Sequence, residues 1–158
     1  MRKTIWIVIS IIIFSIVFCL LFSMHNNKED REKTESIEGE QIDMERKMTV
    51  TINGEEFSAT LEDNETVREL LTRLPLTIEM EDLNGNEKYY YLDESLPQNN
   101  TNVGRIERGD IMLFGNDCLV LFYKSFETPY SYTRVGKIDD VDNLEEQFGQ
   151  GSVRITFE

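Results

Sequence analysis

Histidine is almost missing from this chain. The single one is His25, in a charged tract near the N-terminus. A Ser-His or Cys-His nucleophile therefore has no base to serve it in the rest of the sequence. Cysteine is nearly as scarce, with two in 158 residues. Cys19 lies in an N-terminal apolar run and Cys118 in a predicted core strand, so no disulfide framework is expected. One thiol without an imidazole also excludes zinc from that part of the chain. Cys118 reads as a small buried apolar residue, because burial among Leu and Val raises a thiol pKa. Basic residues are outnumbered, with 16 Lys and Arg against 30 Asp and Glu and a formal net charge of -14. Phosphate binding needs a basic footprint, so a nucleic-acid partner is not expected. Glycine-rich phosphate loops of the Walker or dinucleotide type are absent. No cofactor is expected, and no metal. The acidic cluster Asp139, Asp140, Asp142, Glu145 and Glu146 lacks the glycine and terminal glutamate of an EF-hand loop. It reads as a solvated helix end.

What is present begins with an anchor. Met1-Arg2-Lys3 is a basic head, and Ile5 to Phe22 carries no charge. A helix over that run spans about 27 Å, close to the ~30 Å hydrocarbon core. The basic head places the N-terminus inside and the rest outside. The expectation is a single-pass transmembrane helix over 1–24, holding an extracytoplasmic C-terminal domain at the cell membrane. A cleaved signal peptide is the alternative, though Phe22-Ser23-Met24 supplies no small-residue cleavage site. A lipoprotein signal fails because Val17-Phe18 precedes Cys19. Residues 25–47 are polar and charged, with too little apolar surface to offset the entropy of ordering. They read as a flexible linker.

Residues 48–158 read as one domain organised around 104–124. Cys118-Leu-Val-Leu-Phe-Tyr123 is apolar on both faces and must be covered on both sides. Asn53-Gly54 predicts a two-residue hairpin turn over 48–61. Its register sets Val50 opposite Phe57 and Met48 opposite Ala59. Residues 63–74 read as a helix capped by Asp63 or Asn64. Thr66 and Glu69 have capping-box spacing, and Val67, Leu70, Leu71 and Leu74 form one stripe. A second hairpin is predicted around Asn84-Gly85. A two-residue turn there sets Met80 opposite Tyr89, Ile78 opposite Tyr91 and Glu81 opposite Lys88. A loop over 93–103, a central strand pair over 105–114 and 118–126, and a strand over 130–138 follow. A short acidic helix within 139–148 and a strand over 152–158 complete the pattern. Arg108-Gly109-Asp110 reads as a tight turn entering a strand. Many short strands with tight turns suggest a mainly β domain, a closed barrel or a sandwich.

In this order of elements the domain resembles the small bacterial cyclophilin-like proteins. The segments that carry the likeness are TVRELLTRLPL at 66–76, MEDLNGNEKYY at 80–90, LDESLP at 92–97, GRIERGDIMLF at 104–114, LVLFYK at 119–124, YTRVGKI at 132–138 and VRITFE at 153–158. The resemblance implies a closed eight-stranded barrel with one or two short helices. It also implies relatives that isomerise prolyl bonds, with an Arg beside an apolar groove and Phe, Gln and His partners. This chain departs from that pattern. Its domain has no histidine, and Gln147 to Gly151 is merely rich in Gln and Gly.

The remaining site candidates are Tyr91, Phe114, Tyr123, Tyr132 and Arg134. Aromatics with an Arg suit a peptide or a small acidic ligand. The expectation is therefore non-catalytic binding of a peptide or small ligand by a membrane-tethered domain. A divergent prolyl isomerase, with Arg105 or Arg134 as donor, and an envelope protein-interaction module are the alternatives. A groove lined by aromatics around one Arg favours ligand binding. A flat acidic patch without concavity favours the interaction module.

Overall fold

The computed structural model describes residues 46–149 and 151–158. The expected membrane helix over 1–24 and most of the expected linker lie outside these residues. Arg46 and Lys47, placed in the linker above, are instead the first residues of a strand. No helix among the described residues is long and apolar enough to cross a membrane.

The first hairpin joins β1 (Arg46–Ile52) to β2 (Glu55–Leu61). Val50 faces Phe57 and Met48 faces Ala59, as the turn chemistry predicts. Helix α1 (Glu65–Leu71) follows, with the Asn64 side chain accepting from the Val67 N–H. It is shorter than expected, ending with Thr72 as its C-cap. Thr66 does not close a capping box; its hydroxyl donates to the Pro97 carbonyl at 2.6 Å and ties the helix to the 92–100 loop.

Strand β3 (Leu76–Leu83) turns back into β4 (Glu87–Tyr91). Here the register differs from expectation. Glu81 faces Tyr89 and Asp82 faces Lys88, so the connection has three residues rather than two. Asn84 and Gly85 both adopt positive φ, 56° and 67°. The Asp82 carboxylate accepts from the Gly85 N–H at 3.0 Å and fixes the wider turn. A one-residue slip exchanges the faces of a whole strand. Lys88 and Tyr90 consequently point into the barrel, and Glu87, Tyr89 and Tyr91 point out.

The predicted strand over 105–114 is broken. Short β5 (Thr101–Asn102) and β6 (Arg105–Ile106) precede the turn, and β7 (Asp110–Phe114) follows it. The Asp110 carboxylate accepts from the Glu107 N–H at 2.9 Å, and Gly109 sits at φ 91°. The Arg-Gly-Asp tripeptide is thus a turn entering a strand. Strand β8 (Cys118–Phe122), short β9 (Phe126–Glu127), long β10 (Ser131–Ile138), helix α2 (Leu144–Phe148) and β11 (Val153–Phe157) complete the chain.

Eight strands are hydrogen-bonded in the order β2-β1-β11-β3-β4-β8-β7-β10. Pairing of β10 with β2, Ile138 against Ala59, closes them into an antiparallel barrel. Strand β5 extends the edge of β10, and β6 and β9 form a separate two-stranded ribbon. At the closure, Gly136 leaves no room for a side chain: a Cβ there would lie 2.5 Å from the Thr60 carbonyl oxygen.

Strand β8 separates two apolar clusters. Leu119, Leu121 and Tyr123 join the barrel core with Val50, Ile52, Ile155 and Phe157. Cys118, Val120 and Phe122 join Ile106, Met112 and Tyr132 in a second cluster outside the barrel wall. Each buried Phe or Leu of this kind stabilises the fold by about 1.5–3 kcal/mol.

Candidate functional site

The outer cluster is only partly roofed. The β6–β9 ribbon covers one side of it through Ile106 and Phe126. Beyond that ribbon the outer face of β4 and β8 opens into a cleft of about 550 Å³. Its walls come from the β3–β4 turn, the outward residues of β4 and the 126–132 segment.

Four large apolar side chains among the described residues stay exposed, each between 43% and 61%: Leu83, Tyr91, Phe114 and Tyr130. All four line this cleft. Their rings are held by neighbours. Phe114 lies 6.1 Å from Tyr130 edge-on and 5.5 Å from Tyr132, and Tyr132 lies 5.6 Å from Phe122. Across the cleft Tyr89 packs edge-on against Tyr91 at 5.8 Å, and its hydroxyl donates to Glu81 at 2.8 Å. Rigid rings at fixed spacing bury ligand area with little entropy lost on binding.

Of the residues singled out from sequence, Tyr91, Phe114 and Tyr132 come together in this cleft. Tyr123 does not. It faces the barrel interior, stacks on Phe148 at 5.0 Å and donates its hydroxyl to Asp82 at 2.6 Å. Arg134 does not line the cleft either. Its guanidinium lies 3.9 Å from Asp110, and its carbonyl accepts from Asn64. Arg105 is held by Glu107 at 2.7 Å and Glu127 at 3.0 Å. Among the described residues the cleft wall contains no Lys, Arg or His.

Sequence reasoning missed Glu87 and Asn86, which also line the cleft. Burial pushes the Glu87 carboxyl up to about 7, with the Asp82 charge adding to the effect. Burial likewise takes the Cys118 thiol up to about 11, helped by the Asp117 and Glu87 charges. That thiol is not a nucleophile at neutral pH. The signal for Glu87 was the length of the β3–β4 turn, since alternation alone cannot orient Lys-Tyr-Tyr-Tyr.

Just across the barrel wall, Lys88 is fully buried. Its ammonium donates to Asp82 at 2.8 Å and to the Gly151 carbonyl at 2.6 Å. It also lies 5.5 Å above the Tyr123 ring. The ion pair closes one end of the core and ties β4 to the chain entering β11. No group of three or more His, Cys, Asp or Glu among the described residues is arranged to hold a metal.

No curated protein matches the chain. Among solved structures it is similar to the hypothetical protein AF2241 from Archaeoglobus fulgidus. The identity is 18%, over 76% of this chain and 98% of that one, with a TM-score of 0.49. The model of the cyclophilin-like family matches residues 50–158, which run from the first hairpin to the last strand. With its eight strands closed as that resemblance implied, the chain belongs to the cyclophilin-like family.

Proposed function

We propose that this cyclophilin-like barrel is a binding module, held at the outer side of a cell membrane by its N-terminal segment, that takes a peptide or small ligand without chemistry. The observation that carries the reading is the gathering of the four exposed large apolar side chains in one cleft. Scattered apolar residues are ordinary on a surface, whereas a concave cluster of them marks a binding site. Concavity also favours ligand binding over a flat acidic interaction face.

Prolyl isomerisation is the weaker reading. It needs a donor to the twisted amide nitrogen, and Arg105 and Arg134 are both paired with carboxylates and neither lines the cleft. The missing Arg also revises the ligand, because an acidic one would meet no positive charge in the wall.

A thermal-shift screen of the full-length protein with short apolar and aromatic peptides is expected to raise Tm by mass action. Tyr91→Ala with Phe114→Ala should remove the shift while leaving the fold intact. Binding unchanged in that double variant would refute the cleft as the site. A proline-peptide assay is expected to show no rate above background. Tethering rests on the uncharged run Ile5 to Phe22. The protein should resist carbonate extraction from membranes, and release by carbonate would refute the anchor.

A further inference from the structure

The polar groups of the cleft are one-sided. The Glu87 carboxyl accepts no hydrogen bond from any described residue. Buried acceptors in native proteins are nearly always satisfied, so an orphan calls for an explanation. The other carboxylate in the wall, Glu127, is already paired with Arg105. Among the described residues the cleft therefore offers the free Glu87 carboxyl and no cationic donor, beside the rings of Tyr89, Tyr91 and Tyr132.

Taking the cleft as the binding site, we propose that its occupant carries a protonated amine or guanidinium on an apolar or aromatic body, with the cation seated against Glu87. Such a group brings several N–H donors and no acceptor. It supplies what the Glu87 carboxyl lacks. Aromatic faces add attraction for a cation that has shed its water. A carboxylate or phosphate ligand would instead face Glu87 with no counter-charge. The chain as a whole carries -14, which draws cationic partners toward it and repels anionic ones. A free amine and a Lys or Arg side chain of a partner peptide share this chemistry.

The ionisation of Glu87 sets the pH dependence. The titratable groups that interact with it are Asp82 from β3, Cys118 from β8, Tyr123 just after β8 and Tyr132 from β10. Tyr89 and Tyr91 flank it on its own strand, and Glu127 stands across the cleft on β9. None of them is a cation; Lys88, the next residue on the strand, points to the opposite face and is paired with Asp82. Glu87 thus becomes a full counter-charge only as pH rises through about 7.

The test is calorimetry on the full-length protein with two matched pairs of probes. Tyramine is compared with its neutral alcohol counterpart, tyrosol. A capped Phe-Lys-Phe peptide is compared with capped Phe-norleucine-Phe. At about pH 8 the cationic member of at least one pair should bind about tenfold tighter, and most of that margin should vanish by about pH 6. In Glu87→Gln, with its fold checked by circular dichroism, the margin within each pair should disappear. The pair with the larger margin tells whether a free amine or a peptide is the better occupant. Equal affinity within both pairs overturns the cationic occupant and leaves the cleft as a binding site. A margin that survives in Glu87→Gln also overturns it. Absence of binding by all four probes overturns both this inference and the binding reading beneath it.

Discussion

Replacing Asp82 with Asn should damage the barrel more than replacing Lys88 with Met, although both changes remove the same ion pair. Lys88 is 0% exposed. Without Asp82 its ammonium keeps the carbonyls of Gly149 and Gly151 and the rings of Tyr123 and Phe148. It has no counter-charge and no water. Stranding a buried charge costs about 3–5 kcal/mol, a large part of the ~5–15 kcal/mol that stabilises a domain. Asp82 is better placed to survive alone. Its side chain is 22% exposed, and it still accepts from the Tyr123 hydroxyl and the Gly85 N–H. Met also fills most of the volume of the lysine stem. Lys88→Met should therefore cost about 1–2 kcal/mol, nearer the cost of one charged hydrogen bond. The double variant should be more stable than Asp82→Asn, because the stranded cation is gone. Acid supplies an independent check. The hydrogen bond from Lys88, then that from Tyr123, holds the Asp82 carboxyl below its ordinary value. Its contribution is complete above the unfolded pKa of about 3.9 and is lost as pH falls through the lower folded value. Wild type should lose stability steeply below about pH 4, and Lys88→Met less steeply. Urea unfolding of each variant, followed by circular dichroism, measures all of this. A Lys88→Met cost equal to or above that of Asp82→Asn, or strict additivity in the double variant, would refute the dry-interior reasoning.

Three further outcomes follow from the same geometry. Glu87 has a raised folded pKa of about 7, so its effect has the opposite sign: stability is full below the unfolded pKa of about 4.3 and declines as pH rises toward 7. After discounting for partial exposure, wild type should lose about 2–3 kcal/mol over that window, and urea unfolding of Glu87→Gln should show a flatter profile. Gly136→Ala forces a Cβ to 2.5 Å from the Thr60 carbonyl and should cost about 3 kcal/mol by prying β10 from β2; faster amide exchange in those two strands, relative to β3 and β11, is the readout. Cys118, with a thiol near 11, should be about a thousandth ionised at about pH 8; peptide mapping after brief iodoacetamide treatment should find it unmodified in the folded protein and modified in urea.

Much of the fold was legible because pattern and turn chemistry agreed. In the first hairpin, Asn53-Gly54 and the alternation of Val50, Ile52, Phe57 and Ala59 demand one register, and that register forms. The last strand alternates Val153, Ile155 and Phe157 into the core for the same reason. The second hairpin was not legible. Its β4 sequence carries aromatics on both faces, so burial of either set looks equally good, and only the turn length decides. That length depends on the Asp82 carboxylate gripping the Gly85 N–H. The gain from hiding Lys88 against Asp82 reinforces it, and residue-type hydrophobicity assigns such a gain the wrong sign. One slipped residue explains both misplacements on this side of the barrel. It hid Glu87 from the site and turned a supposed surface Lys88 into the buried ion pair. Tyr123 and Arg134 were misplaced for a different reason. Aromatic and basic residues near strand ends look alike in sequence, and only strand pairing shows which face each one takes.

The sequence does, however, contain the reason a cleft exists here at all. A strand as apolar as Cys118 to Tyr123 requires two covers. The barrel core provides one, over Leu119, Leu121 and Tyr123. The other has to come from outside the barrel, and the described residues supply two two-residue strands, β6 and β9, with the 128–132 segment beside them. That roof is sufficient for Phe122, which is 0% exposed, but it stops short of Tyr91 and Phe114. Apolar surface left uncovered costs about 25 cal/mol for each Å², so a sequence without use for the opening would be expected to place polar residues there. This one places Leu83, Tyr91, Phe114 and Tyr130 around it and sets an unpaired carboxyl among them. If the cleft binds as proposed, the occupant completes the second cover of β8, and the stability the fold forgoes at that wall becomes affinity for it.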